Sequence, residues 1–211
     1  MLNNQIPELL LSRPNNTIDA SIISRGQINA ILCVLDSILK QNIIGDIVEF
    51  GCYVGESSKY LRMILDHYCS DKKLYVYDSF DGLPELSKYE ENSGWKSGTL
   101  KTSIDILKSN FTNNGLKLPI ITQGWFKDIK SDQLPENISF GFLDGDFYDS
   151  IFDSLSLVYP KLSKGGCIIF HDYERQDLPG VKAAVDEYLK NIEDNYLLFK
   201  IYDQLGVLVK L

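Results

Sequence analysis

The sequence predicts an α/β fold: a mostly parallel β-sheet with helices on both faces and an antiparallel hairpin at the C-terminus. Short apolar runs alternate along the chain with longer segments whose apolar residues recur at helical spacing. The runs are almost continuously apolar, as expected of strands that are buried on both faces. Residues 196–211 alternate in polarity around the turn residues Asp203 to Gly206, which predicts the hairpin.

Each element follows from its local pattern. In residues 24–41 the apolar side chains recur every three or four positions, which is typical of an amphipathic helix. Gly115 marks the end of another helix, because glycine is common just after a helix C-terminus. The predicted helices span residues 24–41, 57–69, 103–115, 149–162 and 180–192. The predicted strands span residues 47–50, 74–78, 119–123, 138–144 and 165–172, and the hairpin completes a sheet of seven strands.

The length and composition favour one globular domain. The chain has 211 residues, of which 44% are hydrophobic, enough for one sizeable core. We expect residues 1–42 to form an N-terminal helical segment or cap and residues 43–211 to form the main domain. The alternative for the N-terminal segment, whose apolar run ELLL is short, is packing against a second subunit in a homodimer.

Charge and hydropathy argue against two classes of partner. The net charge is −8, and apart from the pair Lys72-Lys73 the basic residues are scattered, whereas a protein that binds nucleic acid needs basic patches. No run of about 18 apolar residues is present, so no transmembrane helix is predicted. The N-terminus lacks the basic start and the apolar stretch of a signal peptide, and we therefore expect a cytoplasmic protein.

The cysteines and histidines do not form a zinc-binding pattern. None of the four cysteines belongs to a CxxC pair, and the chain has only two histidines. Cys33 and Cys167 lie in apolar runs, and we expect both to be reduced core residues.

The first candidate site lies where the strand at 47–50 ends. It runs into Gly51-x-x-x-Gly55, and a helix with free backbone N–H groups begins near Ser57. Glu49, inside the strand, could accept a hydrogen bond from a cationic amino group. Residue 53 is Tyr, so the dinucleotide fingerprint GxGxxG is absent. A plain strand–helix turn is the alternative interpretation.

Two further loops carry features of a nucleotide site. Asp78 ends the second strand, 23 residues after Gly55, where an acid commonly binds ribose hydroxyls. The alternative is an acid that only caps a helix or turn. After the third strand, Trp125 and Phe126 could flank an adenine ring or could be core aromatics.

Polar residues also follow the fourth and fifth predicted strands. Asp144 and Asp146 end one strand, and His171 and Asp172 end the next, so adjacent parallel strands would bring them together. Their oxygen atoms suit Mg²⁺, and a carboxylate or the imidazole could act as general base. The alternative is that the acids only favour the start of the following helix, a role that we assign to Asp149.

Together these motifs resemble the macrocin O-methyltransferase family. The likeness covers residues 45–189 and is carried by GDIVEFGCYVGESS, VYDSFDGLP, QGWFKD, FLDGDFYDSIFDSLSLVYPKLSKGGCIIFHDY and GVKAAVDEY. It implies a Rossmann-like class I methyltransferase fold in which residues 43–211 bind S-adenosylmethionine. It also implies methyl transfer to a hydroxyl of a small molecule, a sugar or glycoside, with assistance from Mg²⁺.

The resemblance implies roles for individual residues. Those near the methionine part, the ribose and the adenine of the cofactor would be Glu49, Gly51, Tyr53, Gly55, Ser57, Ser58, Asp78, Ser79, Gly124, Trp125 and Asp144. Mg²⁺ would be held by Asp144, His171 and Asp172. The family has a pair of acids where this chain has His171-Asp172, and imidazole is a softer ligand than carboxylate. Asp146 would be the general base, with His171 as the other candidate.

Other functions remain compatible with these residues. A dehydrogenase is disfavoured by the missing GxGxxG. A non-catalytic ligand-binding module of the same fold and a methyltransferase acting on a catechol-type phenol both remain open. Residues 81–101 form a long irregular stretch whose Tyr89 and Trp95 would suit a loop that closes over the acceptor.

Overall fold

The computed structural model describes residues 22–211. The run ELLL, with its predicted subunit contact, and half of the predicted cap lie outside these residues. The strands are β1 Asp46–Phe50, β2 Leu74–Asp78, β3 Ile120–Gln123, β4 Ile138–Leu143, β5 Leu162–Phe170, β6 Tyr196–Lys200 and β7 Gly206–Lys210. The helices are α1 Arg25–Lys40, α2 Glu56–His67, α3 Ile104–Thr112, α4 Tyr148–Val158 and α5 Pro179–Leu189.

The strands form one seven-stranded sheet in the order β3-β2-β1-β4-β5-β7-β6, which confirms the predicted fold class. β1 to β5 run parallel to one another, whereas β7 is antiparallel to both β5 and β6. Helices α1, α2 and α3 contribute to the core on one face, and α4 and α5 to the core on the other. Among the described residues, no helix combines the length and the apolar character needed to cross a bilayer.

Two expectations need correction. The helix predicted at 149–162 ends at Val158, and a 3₁₀ turn at Tyr159–Lys161 leads into β5, which begins at Leu162 instead of residue 165. Pro160 explains the early end, since its ring and missing N–H interrupt an α-helix. Cys33 is exposed and not a core residue, because it lies on the outer face of α1.

The register of β1, β4 and β5 aligns the carboxyl ends of these three strands. Phe50 of β1 is paired with Leu143 of β4, which is paired with Phe170 of β5. Beyond these pairs, the N–H of Asp144 donates to the Phe50 carbonyl at 2.8 Å, and the N–H of His171 donates to the Leu143 carbonyl at 3.0 Å. The loops that follow β1, β4 and β5 therefore start side by side at the carboxyl edge of the sheet.

Candidate functional site

An open cleft lies at this edge of the sheet, and the space in it, including the part open to solvent, is about 770 Å³. Most of the predicted site residues line it: Gly51, Tyr53, Asp78, Ser79, Trp125, Asp144, Asp146, His171 and Asp172. Ser57 lines a smaller cavity that shares Gly51, Tyr53 and Asp144 with the cleft. Four predicted residues lie on neither wall: Glu49, Gly55, Ser58 and Gly124.

Glu49 is fully buried beneath the start of α2. It faces the same side of β1 as the core residue Ile47, because side chains two apart share a face. Its two carboxylate oxygens accept hydrogen bonds from the hydroxyls of Ser57 and Ser58. Burial raises the pKa of Glu49 to about 8. In this structure Glu49 thus holds the beginning of the helix through Ser57 and Ser58.

Gly51 allows two site loops to meet. Its backbone has φ +85°, and a Cβ atom at this position would overlap the carbonyl oxygen of Asp144. A residue with a side chain would therefore be both strained and displaced. Gly55 also has a left-handed conformation, at φ +81°, and a Cβ there would lie 3.1 Å from Leu107 and 3.2 Å from Phe111. It serves the packing of α2 against α3.

Asp78 is fixed by two backbone groups. The N–H of Tyr53 donates to Oδ2 at 2.8 Å, and the N–H of Phe80 donates to Oδ1 at 2.7 Å. Burial raises the pKa of Asp78 although these hydrogen bonds oppose the shift. The backbone N–H and the thiol of Cys52 also favour the ionised carboxylate. The side chain is thus held in place on the cleft wall.

Asp144, His171 and Asp172 form a compact cluster. His171 Nδ1 lies 2.9 Å from Asp144 Oδ1 and 3.2 Å from Asp172 Oδ2. One donor atom from each of the three residues lies within 4.8 Å of the others, a spacing that could hold a metal ion. Burial alone would lower the pKa of His171, but Asp144 and Asp172 outweigh it and raise that pKa well above its ordinary value.

Asp146 is half-buried on the cleft wall, two residues after Asp144. Its φ of +59° is uncommon for a residue with a side chain, and such strained backbone is often found at functional sites. None of residues 22–211 donates a hydrogen bond to its carboxylate. Burial raises its pKa well above the ordinary value, and the nearby carboxylates of Asp144 and Asp172 add to the shift.

Residues 79–103, here called the cover loop, form one side of the cleft without helix or strand. Glu90 is fully buried, and its Oε1 accepts the N–H of Tyr148 at the start of α4 at 2.9 Å. The ring of Tyr89 stacks on the ring of Tyr148 with centroids 4.4 Å apart. These contacts dock the loop, and Trp95 from the same loop lines the cleft.

Arg175 is a cleft residue that the sequence analysis missed. It donates to Asp172 Oδ1 at 3.2 Å and to both oxygens of Asp177 at 2.7 and 3.1 Å. The Trp95 indole N–H also donates to Asp177, at 3.3 Å. A single arginine in an irregular stretch is a weak sequence signal, whereas the structure shows that it connects the cover loop to the cluster. Other missed cleft residues are Ile22, Leu83, Leu100, Gly145 and Ser150.

Comparisons with known proteins give a consistent family. The chain is 34% identical over 165 residues to demethyldecarbamoylnovobiocin O-methyltransferase of Streptomyces niveus, a match that covers 74% of this chain and 62% of that protein. It is 30% identical over 186 residues to mycinamicin III 3''-O-methyltransferase of Micromonospora griseorubida, covering 82% of this chain and 71% of that protein. The chain thus spans less than two thirds of the length of the first of these relatives.

Solved structures share the fold. The O-methyltransferase NovP superposes with a TM-score of 0.74 at 30% identity, covering 87% of this chain and 78% of that one. The methyltransferase PaMTH1 of Podospora anserina, bound to SAH, superposes with a TM-score of 0.63 at 14% identity, covering 96% and 85%. The second match supports the fold alone. A model of the macrocin-O-methyltransferase (TylF) family matches residues 12–210, and the chain therefore belongs to that family.

Proposed function

We propose that this protein is an S-adenosylmethionine-dependent O-methyltransferase whose acceptor is a hydroxyl of a small molecule, a sugar or glycoside. The observation that carries the proposal is the arrangement of one cleft: Asp78, Asp146 and the cluster at Asp144 all lie on its wall. The names of the relatives support it, since they describe O-methyltransferases of demethyldecarbamoylnovobiocin and of mycinamicin III.

The residues around Asp78 fit the proposed cofactor, which supplies the methyl group when bound. Asp78 lies on the cleft wall at the end of β2, where an acid would bind ribose hydroxyls, and Gly51 leaves its backbone open to a close ligand. Trp125 lies on the same wall and would contact the adenine. We further propose that residues 43–211 form the cofactor-binding domain and residues 1–42 its cap. In support, the described part of the cap, α1, packs on the sheet.

Asp146 is the proposed general base. A neutral hydroxyl is a weak nucleophile, so a carboxylate must take its proton as the new bond forms. A raised pKa makes Asp146 a stronger base than an ordinary aspartate. His171 is the less suitable candidate, because its Nδ1 lies between the carboxylates of Asp144 and Asp172 and would be a ligand of the proposed cation.

The cluster fits a divalent cation, for which the family resemblance implies Mg²⁺. Two carboxylates and an imidazole supply the donors, and His171 Nδ1 is buried without a hydrogen-bond partner among the described residues. A cation bound there would lower the pKa of a coordinated hydroxyl and fix its position. Trp95 on the opposite cover loop would offer a flat face to a sugar ring.

Calorimetric titration with S-adenosylhomocysteine tests the proposed cofactor. We expect a dissociation constant in the micromolar range, and weaker binding by Asp78→Ala, which loses the ribose partner. Asp71→Ala, which changes an exposed acid outside the cleft, is the control and should bind as the unaltered protein does. Absence of binding by the unaltered protein would contradict the proposal. Methyl transfer to a panel of glycosides, followed by mass spectrometry, then identifies the acceptor.

A further inference from the structure

We infer that the cluster of Asp144, His171 and Asp172 takes a first-row transition-metal ion, Mn²⁺ or Fe²⁺, in preference to Mg²⁺. The inference deepens the proposed function and rests on it only in placing the ion in the same cleft. It follows from the position of one imidazole nitrogen between two carboxylates and from the ligands that different metals prefer.

The donor atoms of the cluster are spaced like ligands of one metal ion. Ligands that share one ion at about 2.1 Å lie about 3 Å apart when their bonds meet at right angles. His171 Nδ1 lies 2.9 Å from Asp144 Oδ1 and 3.2 Å from Asp172 Oδ2. Both separations therefore suit neighbouring positions around a single ion.

The contacts of His171 Nδ1 with the two carboxylates are short but are not aligned as hydrogen bonds. Both oxygens lie within hydrogen-bonding distance of Nδ1, yet Nδ1 has no aligned hydrogen-bond partner among the described residues. An ion on the ring axis of Nδ1 would leave its other ligands beside that axis, where they could not accept a straight N–H hydrogen bond. The side chain of His171 is 3% exposed, and an unpaired polar atom buried to this degree is costly. The arrangement therefore suits a metal ligand at Nδ1.

Neighbouring side chains contact the residues that carry the donor atoms. Arg175 donates to Asp172 Oδ1, which leaves Oδ2, the oxygen that faces His171, for the ion. The ring of Phe142 meets the His171 ring edge-on, with centroids 6.2 Å apart. Asp144 has 14% of its side chain exposed, so the cleft side of the cluster stays open to a substrate or water. Arg175 and Phe142 therefore hold the ligand side chains in place, and the cluster is accessible from the cleft.

The types of donor atom in the cluster determine which metal ion it prefers. Mg²⁺ strongly prefers oxygen ligands and retains several waters, which a buried imidazole cannot replace well. Imidazole suits first-row transition metals, and carboxylates suit Mn²⁺ among them. A set of one nitrogen and two carboxylate donors therefore favours Mn²⁺ or Fe²⁺ over Mg²⁺.

The test measures metal binding and does not depend on turnover. The metal-stripped protein is titrated with Mn²⁺ and with Mg²⁺ by calorimetry, alongside His171→Asp, which supplies three carboxylates. We expect the ratio of Mn²⁺ to Mg²⁺ affinity to be about tenfold larger for the unaltered protein than for His171→Asp. Equal ratios would overturn the inference. His67→Ala, which removes the other histidine, should leave the ratio unchanged.

A spectroscopic measurement on the unaltered protein guards against a variant that does not fold. Pulsed electron paramagnetic resonance of the Mn²⁺ complex should show coupling to an imidazole nitrogen, and His67→Ala should keep it. Mn²⁺ binding without such coupling, or no Mn²⁺ binding at all, would refute the inference. Because S-adenosylhomocysteine binding is measured separately, a protein that binds this molecule but no Mn²⁺ would retain the proposed cofactor and lose only the metal assignment.

Discussion

Glu49 is a buried acid whose ionisation should affect the stability of the whole protein. Its pKa is about 8 in the folded protein and near the ordinary 4.5 in the unfolded chain, so the folded state holds the extra proton between these values. The stability contributed by this residue should therefore fall as the pH rises through this range, by up to about 1.4 kcal/mol per pH unit.

We expect Glu49→Gln to remove this dependence. Urea denaturation at several pH values between 5 and 8 would measure it. The unfolding free energy of the variant minus that of the unaltered protein should increase with pH. A difference that stays constant over this range would show that Glu49 titrates at the same pH in the folded and unfolded states.

Asp146 is the residue on which the proposed chemistry depends most. Asp146→Asn removes the base but keeps the shape of the side chain, so kcat should fall by about a hundredfold or more while S-adenosylhomocysteine affinity is retained. Asp149→Asn is the matched control, because Asp149 is an exposed acid in the first turn of α4. Comparable kcat values for the two variants would remove Asp146 from the mechanism and return His171 as the candidate base.

The cover loop depends on one buried carboxylate. Glu90 caps the start of α4, whose own N-cap residue, Phe147, makes no side-chain cap, and it also accepts hydrogen bonds from the N–H and hydroxyl of Ser87. Glu90→Ala should lower the unfolding free energy by about 1–3 kcal/mol and speed proteolysis within residues 81–101. The neighbouring Glu91 is exposed, so Glu91→Ala should change neither measurement. Equal protease sensitivity of the two variants would show that Glu90 does not hold the loop.

The cover loop also bears on the expected closure over the acceptor. Limited proteolysis in the presence of S-adenosylhomocysteine and an acceptor should show slower cleavage within residues 81–101 than in the free protein, because the ligand would add contacts to Trp95. Cleavage at an unchanged rate would argue against a loop that closes on the ligands.

At the scale of the whole molecule, we expect both stability and cofactor binding to depend on the contact between the loops after β1 and β4. Gly51→Ala should destabilise the protein more than Gly115→Ala and should abolish cofactor binding. Both glycines have positive φ, at +85° and +66°, but only the Cβ at position 51 meets another atom. The backbone strain of about 1 kcal/mol is common to both variants. Thermal denaturation and calorimetry of the two variants would isolate the effect of the clash, and similar results for both would contradict it.

The sequence predicted the elements of the fold because their signals are local. The apolar run of β4 and the helical spacing in α1 depend only on neighbouring residues, and both elements were found where expected. The errors arose where a local pattern was incomplete. Pro160 ended a helix that the apolar spacing had predicted to continue, and the solvent-facing position of Cys33 depended on how α1 is rotated against the sheet.

The sequence predicted the site residues that directly follow a strand. It missed the residues that lie elsewhere in the loops. Asp78, Asp144 and His171 could be named because the carboxyl ends of parallel strands lie at one edge of a sheet. Arg175 could not be named, since its position depends on contacts with Asp172 and Asp177 that no short pattern encodes. The same holds for Glu90, which is 58 residues from its partner Tyr148.

By itself the sequence determined the order of strands and helices, the residue types at the strand ends and the likeness to one family. Only the tertiary structure decided how these residues meet. The register from Phe50 to Leu143 to Phe170 sets Asp144 and His171 side by side. The packing of α2 over the end of β1 buries Glu49 beneath Ser57 and Ser58, outside the lining of the cleft. The physical reason is the range of the forces involved: helix and strand preferences act between neighbouring residues, whereas burial and the pairing of charges depend on residues that are distant in the chain.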